Sequence, residues 1–200
     1  DAGLVPVIEG GHSIDVDAGL GFLSGFTGLD LEAGVGLEEL LPRAIDEGRA
    51  ILAGRDLIAA ASTMRPLLGL ASVLALTVGL DARDDQDRAL TALLTRVLAA
   101  PARSSLPILG ADGSPAESAG PGRLAGSGAA GGAAAMIAAI GGRLLATGDF
   151  LLAVEEADAR LEGADLLILL QARLHSPELA ESPITALSER AARFALPVVA

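Results

Sequence analysis

From Asp165 to Leu170 the chain reads Asp-Leu-Leu-Ile-Leu-Leu, a six-residue run typical of a strand in the middle of a parallel sheet. Parallel sheets are covered by helices on both faces, so this run calls for helical segments on either side of it in sequence. The clearest is Asp84 to Ala99. Its apolar stripe is Leu90, Leu93, Leu94, Val97 and Leu98, and Asp84, Asp85 and Asp87 stand in the first turn, where the helix dipole favours them. Glu38 to Ala53 places Leu40, Leu41, Ile45 and Leu52 on one side. Phe150 to Leu161 reads as another helix, and Pro177 to Phe194 as one interrupted by Pro183. Asp15 to Phe26 gives a weaker helical pattern. Gly3 to Glu9, Leu57 to Ala61 and Leu196 to Val199 are further strand-like runs. Strands alternating with helices predict an α/β fold.

The composition shifts at Pro101 to Arg123, which is rich in proline, serine and glycine and reads as a flexible connector. The expected organisation is a mixed α/β domain over residues 1–162. A second segment over 163–200 would begin a Rossmann- or flavodoxin-like parallel-sheet domain. The closing Leu196-Pro197-Val198-Val199-Ala200 looks like the first half of a buried strand, and the chain opens at Asp1 without a methionine. A piece of a longer parent is expected on that pattern.

Composition removes much chemistry. There is no cysteine, which excludes disulfides, thiolate metal sites and thiol nucleophiles. Two histidines, His12 and His175, are too few for a multi-histidine metal cage. The only aromatics are four phenylalanines, which rules out base-stacking platforms. With 26 acidic against 14 basic residues the net charge is −12, and every basic residue is arginine. That balance argues against a nucleic acid or an anionic membrane surface as partner. The uncharged stretch Leu124 to Gly142 is long enough to span a bilayer, but it holds six glycines and eight alanines and gains little from hydrocarbon. No export signal opens the chain, and the expectation is a soluble, cytoplasmic protein.

Two glycine-bearing turns draw the chemistry that remains. Gly10-Gly11-His12-Ser13 follows a strand and precedes a helix, where backbone N–H groups can receive phosphate or carboxylate. No Gly-Lys-Ser/Thr follows, so it is not a Walker A loop, and a plain strand-to-helix turn is the alternative. Asp15 and Asp17 could act as base or magnesium ligand, or could simply cap the helix. Gly126 to Gly132 could lie against a phosphate or let two backbones pack closely. The loop from Gln171 to His175 follows the central strand, at the strand end where α/β sheets bind ligands. His175 there is a base or a structural histidine.

Read together, these segments resemble the glycerate kinase family of the bacterial two-domain α/β type. Residues Gly10 to Gly21 are similar to that family's Gly-Gly-Ser-Ala-Thr-Asn-Asp-Gly-Gly-Ala-Gly signature, with Ser13, Asp17, Gly19 and Gly21 on its positions. Arg65-Pro66-Leu67-Leu68-Gly69 resembles its Asn-Pro-Leu-Leu-Gly turn. Gly128-Ala129-Ala130-Gly131-Gly132 matches its Gly-Ala-Ala-Gly-Gly run, and Gly163-Ala164-Asp165-Leu166 its Gly-Ala-Asp-Leu strand start. The order and spacing agree over nearly all of the chain. The resemblance implies a glycerate-kinase-like fold, ATP and Mg²⁺ as cofactors, and phosphoryl transfer from ATP to a hydroxyl of D-glycerate. By the same resemblance Asp17 would activate the hydroxyl or hold Mg²⁺. Ser13 and Arg173 would bind substrate or phosphate, and Gly131 and Gly132 would shape the substrate cleft.

The departures are as informative. Where the family reads Thr-Gly-Glu-Gly-Arg-Leu-Asp, this chain has Leu169-Leu170-Gln171-Ala172-Arg173-Leu174-His175. The acid has become Gln171, the aspartate His175, and a glycine of the first signature His12. The family's lysines have no counterpart, and its N-terminal Asp-Ser-Phe-Lys-Gly and Asp-Gly-Gly-Glu-Gly-Thr segments are absent from this sequence. Phosphoryl transfer depends on positioned positive charge and Mg²⁺ ligands around the γ-phosphate. Two functions therefore stand side by side: a glycerate kinase, or a degenerate non-catalytic homologue that acts as a binding or interaction subunit. The oligomeric state is open, a homo-oligomer included.

Overall fold

In the computed structural model of the chain the described residues are 4–10, 17–31, 36–77, 85–99, 120–170 and 183–200. Two compact units emerge, Asp1–Leu144 and Leu145–Ala200, and the division falls inside a strand.

A three-stranded sheet has the order β1-β2-β3, formed by β1 (Val7–Gly10), β2 (Ile58–Ala61) and β3 (Arg143–Ala146), whose first two residues belong to the first unit. β1 and β2 run parallel, with Val7 opposite Ile58 and Gly10 opposite Ala61. All four residues of β2 are buried, whereas β1 alternates exposed and half-buried as an edge strand does. Helices α1 (Leu20–Thr27), α2 (Leu37–Leu52), α3 (Val73–Thr77) and α4 (Asp85–Val97) precede two short 3₁₀ turns, Pro121–Arg123 and Ala129–Gly132, and helix α5 (Ala133–Ala139). In α2 the buried residues are Leu37, Leu41, Ala44, Ile45, Gly48 and Leu52, the three- and four-residue spacing of a core-facing stripe. Each fully buried leucine stabilises by ~1.5–3 kcal/mol.

Every residue of α5 is buried. Its alanines let the helix lie close against α1 and β2, and Met136 and Ile137 fill the space that remains. Its last carbonyls are served from another helix, since Nε of Arg49 on α2 donates to the Ala139 oxygen at 2.9 Å. The Gly-Ala stretch is thus the heart of a packed core. Among the described residues no helix is long and apolar enough to cross a membrane.

The second unit contains α6 (Thr147–Val154), α7 (Ala157–Glu162), β4 (Leu167–Ile168), α8 (Pro183–Arg193) and β5 (Val198–Val199). β4 and β5 pair in parallel, Leu167 opposite Val198 and Ile168 opposite Val199, with α8 between them in sequence. Among the described residues a small core gathers Leu161, Ala191 and Leu196, with Leu167 and Leu187 against them. Arg190 ties the helices together, its guanidinium 2.9 Å from Asp158 and 3.9 Å from Asp149.

The α/β expectation holds, with parallel strands in both units. Several details differ. β3 is unanticipated, because Arg-Leu-Leu-Ala has no β-branched residue and favours a helix by propensity. Tertiary pairing decides instead, with the Arg143 N–H donating to the Leu57 oxygen at 2.8 Å. The helix expected from Phe150 to Leu161 breaks at Glu156, whose φ is 50°, so that α7 starts anew and buries Ala157 and Leu161. The run expected as a fully buried strand, Asp165 to Leu170, buries only one side. Leu169 faces in, while Leu166, Ile168 and Leu170 stand exposed.

Candidate functional site

Open α/β sheets bind ligands beyond the carboxyl ends of their strands. β1 ends at Gly10 and β2 at Ala61, and three segments meet there.

The first is the turn that opens α1. The Gly19 N–H donates to Asp17 Oδ1 and the Gly21 N–H to Asp17 Oδ2, each at 2.8 Å. Asp17 lies two residues before Gly19, the N-cap of α1, and its carboxylate braces the turn through these two N–H groups. The side chain is nevertheless exposed, and each oxygen keeps further acceptor capacity. Ala18 and Gly19 both have positive φ, 59° and 79°.

The second is the Gly126–Gly132 run, which follows the same logic from the far side. Ala130, Gly131 and Gly132 have φ of 53°, 66° and 107°. The two left-handed stretches lie backbone against backbone. A Cβ on Gly19 would fall 2.5 Å from the Gly132 oxygen, and one on Gly132 would fall 2.6 Å from the Ala18 carbonyl carbon. The end of β1 joins them, since a Cβ on Gly10 would sit 2.5 Å from that of Ala130. A non-glycine residue in the left-handed region costs ~1–2 kcal/mol, so Ala18 and Ala130 are strained and the packing around them holds them there.

The third is the turn after β2. Ser62 extends the ladder, its N–H donating to the Gly10 oxygen at 3.1 Å, and its hydroxyl donates to the Glu9 carboxylate. The Gly126 N–H donates to the Met64 oxygen and the Gly128 N–H to the Arg65 oxygen, both at 3.0 Å. Ser127 locks the arrangement. Its hydroxyl has no exposed surface, accepts the Leu67 N–H at 2.9 Å and donates to the Gly122 oxygen at 3.0 Å.

The structure therefore brings Asp17, Gly131 and Gly132 into one neighbourhood. The two glycines are buried and shape the surface, while Ala130 is half-buried. His12, Ser13, Asp15, Gln171, Arg173 and His175 lie outside the described residues. Sequence reasoning missed Ser127, although it is the one polar side chain in the uncharged Gly-Ala stretch. It also missed the Glu9–Ser62 pair, whose signal is a polar residue at the end of each of two apolar strands. Among the described residues no cluster of three or more histidines, cysteines or carboxylates forms a metal cage. Mg²⁺ needs fewer, since it takes one or two carboxylates together with phosphate oxygens and water. Asp17, exposed and with acceptor capacity to spare, fits that requirement.

No protein-family model matches the chain, and no curated protein does. Among solved structures the chain is similar to a protein provisionally designated glycerate kinase 2 from Salmonella typhimurium LT2. Identity is 27%, the TM-score is 0.46, and the match covers 74% of this chain and 36% of that one. The chain thus spans about a third of that structure's length.

Proposed function

We propose that this chain supplies a large part of a glycerate-kinase-like active site, in a protein that transfers the γ-phosphoryl group of ATP to a hydroxyl of D-glycerate. The observation that carries this reading is the contact between the Asp17–Gly21 turn and the Gly126–Gly132 run. The two motifs that most resemble the family are distant in sequence, yet meet backbone to backbone at the carboxyl ends of β1 and β2. Asp17 would accept the proton of the attacking hydroxyl or hold Mg²⁺, which when bound would neutralise charge on the phosphates. Ser13 and Arg173 would bind the carboxylate or phosphate, and buried Gly131 and Gly132 would set the shape of the floor. By the same resemblance we propose a cytoplasmic protein whose partners are small molecules.

One observation favours the second reading, a binding subunit without catalysis. Both Asp17 oxygens already accept N–H groups of the turn that opens α1, and the chain offers no lysine to the phosphates. ADP release from the folded chain with MgATP and D-glycerate, beside Asp17→Asn, separates the two. Turnover abolished in the variant is the expected result for the kinase. No turnover, with D-glycerate still bound, would leave the binding subunit.

A further inference from the structure

The opposite end of β1 and β2 holds a second feature, in the first unit alone. A cavity of about 520 Å³ opens where the extended segment before β1 passes the last turn of α2. Its walls are mainly aliphatic, from Leu4, Val5, Ile51 and Leu57 with Phe26 beside them. Small-molecule sites span roughly 300–1,000 Å³ and combine apolar walls with a few placed polar groups. The placed group here is Arg55. Its Nε donates to the Leu52 oxygen at 3.2 Å and its Nη2 to the Ile51 oxygen, which pins the guanidinium to the end of α2. Nη1 makes no hydrogen bond, and the guanidinium no ion pair, among the described residues. Arg49, Arg96, Arg143, Arg160 and Arg190 each have a carboxylate partner, whereas Arg55, like Arg43, Arg123 and Arg193, has none among the described residues; Arg55 is the arginine of that group that lines the cavity. The neighbouring carboxylate on the cavity wall, Asp56, is taken up by Arg143 through contacts of 3.3 and 3.4 Å. Helix capping accounts for the two carbonyl bonds of Arg55, but not for the apolar hollow beside it.

We propose that this cavity is a binding site for a free aliphatic monocarboxylate, its alkyl chain along the Leu4–Leu57 wall and its carboxylate on Arg55. Charge complementarity selects the head group and the aliphatic lining selects the tail. The net charge of −12 speaks against an anionic lipid surface as the source of that head group. The site is independent of the one proposed at the carboxyl ends.

Calorimetric titration of the folded chain with octanoate, and separately with octanol, tests this. The expected result is saturable octanoate binding with Kd below about 1 mM. Arg55→Gln should weaken it about tenfold and leave octanol unaffected, because only the acid makes the charge-assisted contact. Equal octanoate affinity in Arg55→Gln, or no binding to the folded chain, would overturn the proposal. If Arg55→Gln does not fold, Val5→Asp puts a negative charge on the exposed wall. It should expel octanoate, and unchanged affinity would overturn the proposal equally.

Discussion

The two units solve the same problem unequally. The first wraps helices around its sheet: β2 is buried throughout, α5 is buried on all sides, and one continuous apolar cluster runs from Ala18 to Ile140. Among the described residues the second has a small buried cluster of Leu161, Ala191 and Leu196 and a two-stranded parallel sheet. There Ile168 is 62% exposed and Leu170 92%, with Val199 beside them. Parallel sheets are stable when both faces are covered, and among the described residues the first unit shows that cover more fully than the second. Backbone proximity differs by position: Gly132 presses on the Ala18 backbone, whereas a Cβ on Gly163 would meet nothing within 4 Å, as at Gly25 and Gly54 of the first unit.

That contrast is open to direct attack. Gly132→Ala combines a forbidden φ with a backbone clash and should destabilise by roughly 3–5 kcal/mol, read as a shift in the urea midpoint, while Gly163→Ala should change it little. Leu41→Ala, at a site with no exposed surface, should cost ~3 kcal/mol, and Leu170→Ala less than ~0.5 kcal/mol. Equal effects in either pair would erase the distinction it tests. Ser127→Ala leaves the Leu67 N–H and the Gly122 oxygen without their buried partner and should cost ~1–3 kcal/mol. Smallest is Arg190→Gln. Its pairs with Asp158 and Asp149 are partly exposed, so a loss of about 0.5–1 kcal/mol that shrinks in high salt is expected. Hydrogen exchange should rank the units the same way, with amides of α6, α7 and α8 exchanging before those of α2 and β2.

Much of this was legible in the chain itself. Helices α2 and α4 fall within a residue or two of their apolar stripes, and β2 coincides with the Leu57–Ala61 run, because burial on one face leaves a period in the sequence. β3 was not legible, since Leu and Ala carry no strand preference and only pairing places them. The break at Glu156 was equally silent, because nothing in Val154-Glu155-Glu156-Ala157 announces a left-handed residue. Of the candidate site, the glycine runs were visible but their meeting was not. Contact between segments so distant in sequence has no local signal, and neither does the buried hydroxyl of Ser127 that fastens one of them. Asp17 shows the limit from the other direction: residue type and position suggested both a cap and a catalytic group, and only coordinates display the two N–H donors it holds.

The central claim is that the Asp17–Gly21 turn and the Gly126–Gly132 run form one ligand site. The most direct measurement is a backbone amide NMR titration of the folded chain with D-glycerate in the presence of MgATP. Saturable shifts are expected in the amides of both segments, with the same apparent Kd and with the amides around Arg55 unmoved. Shifts confined to one segment, or none in either, would contradict it.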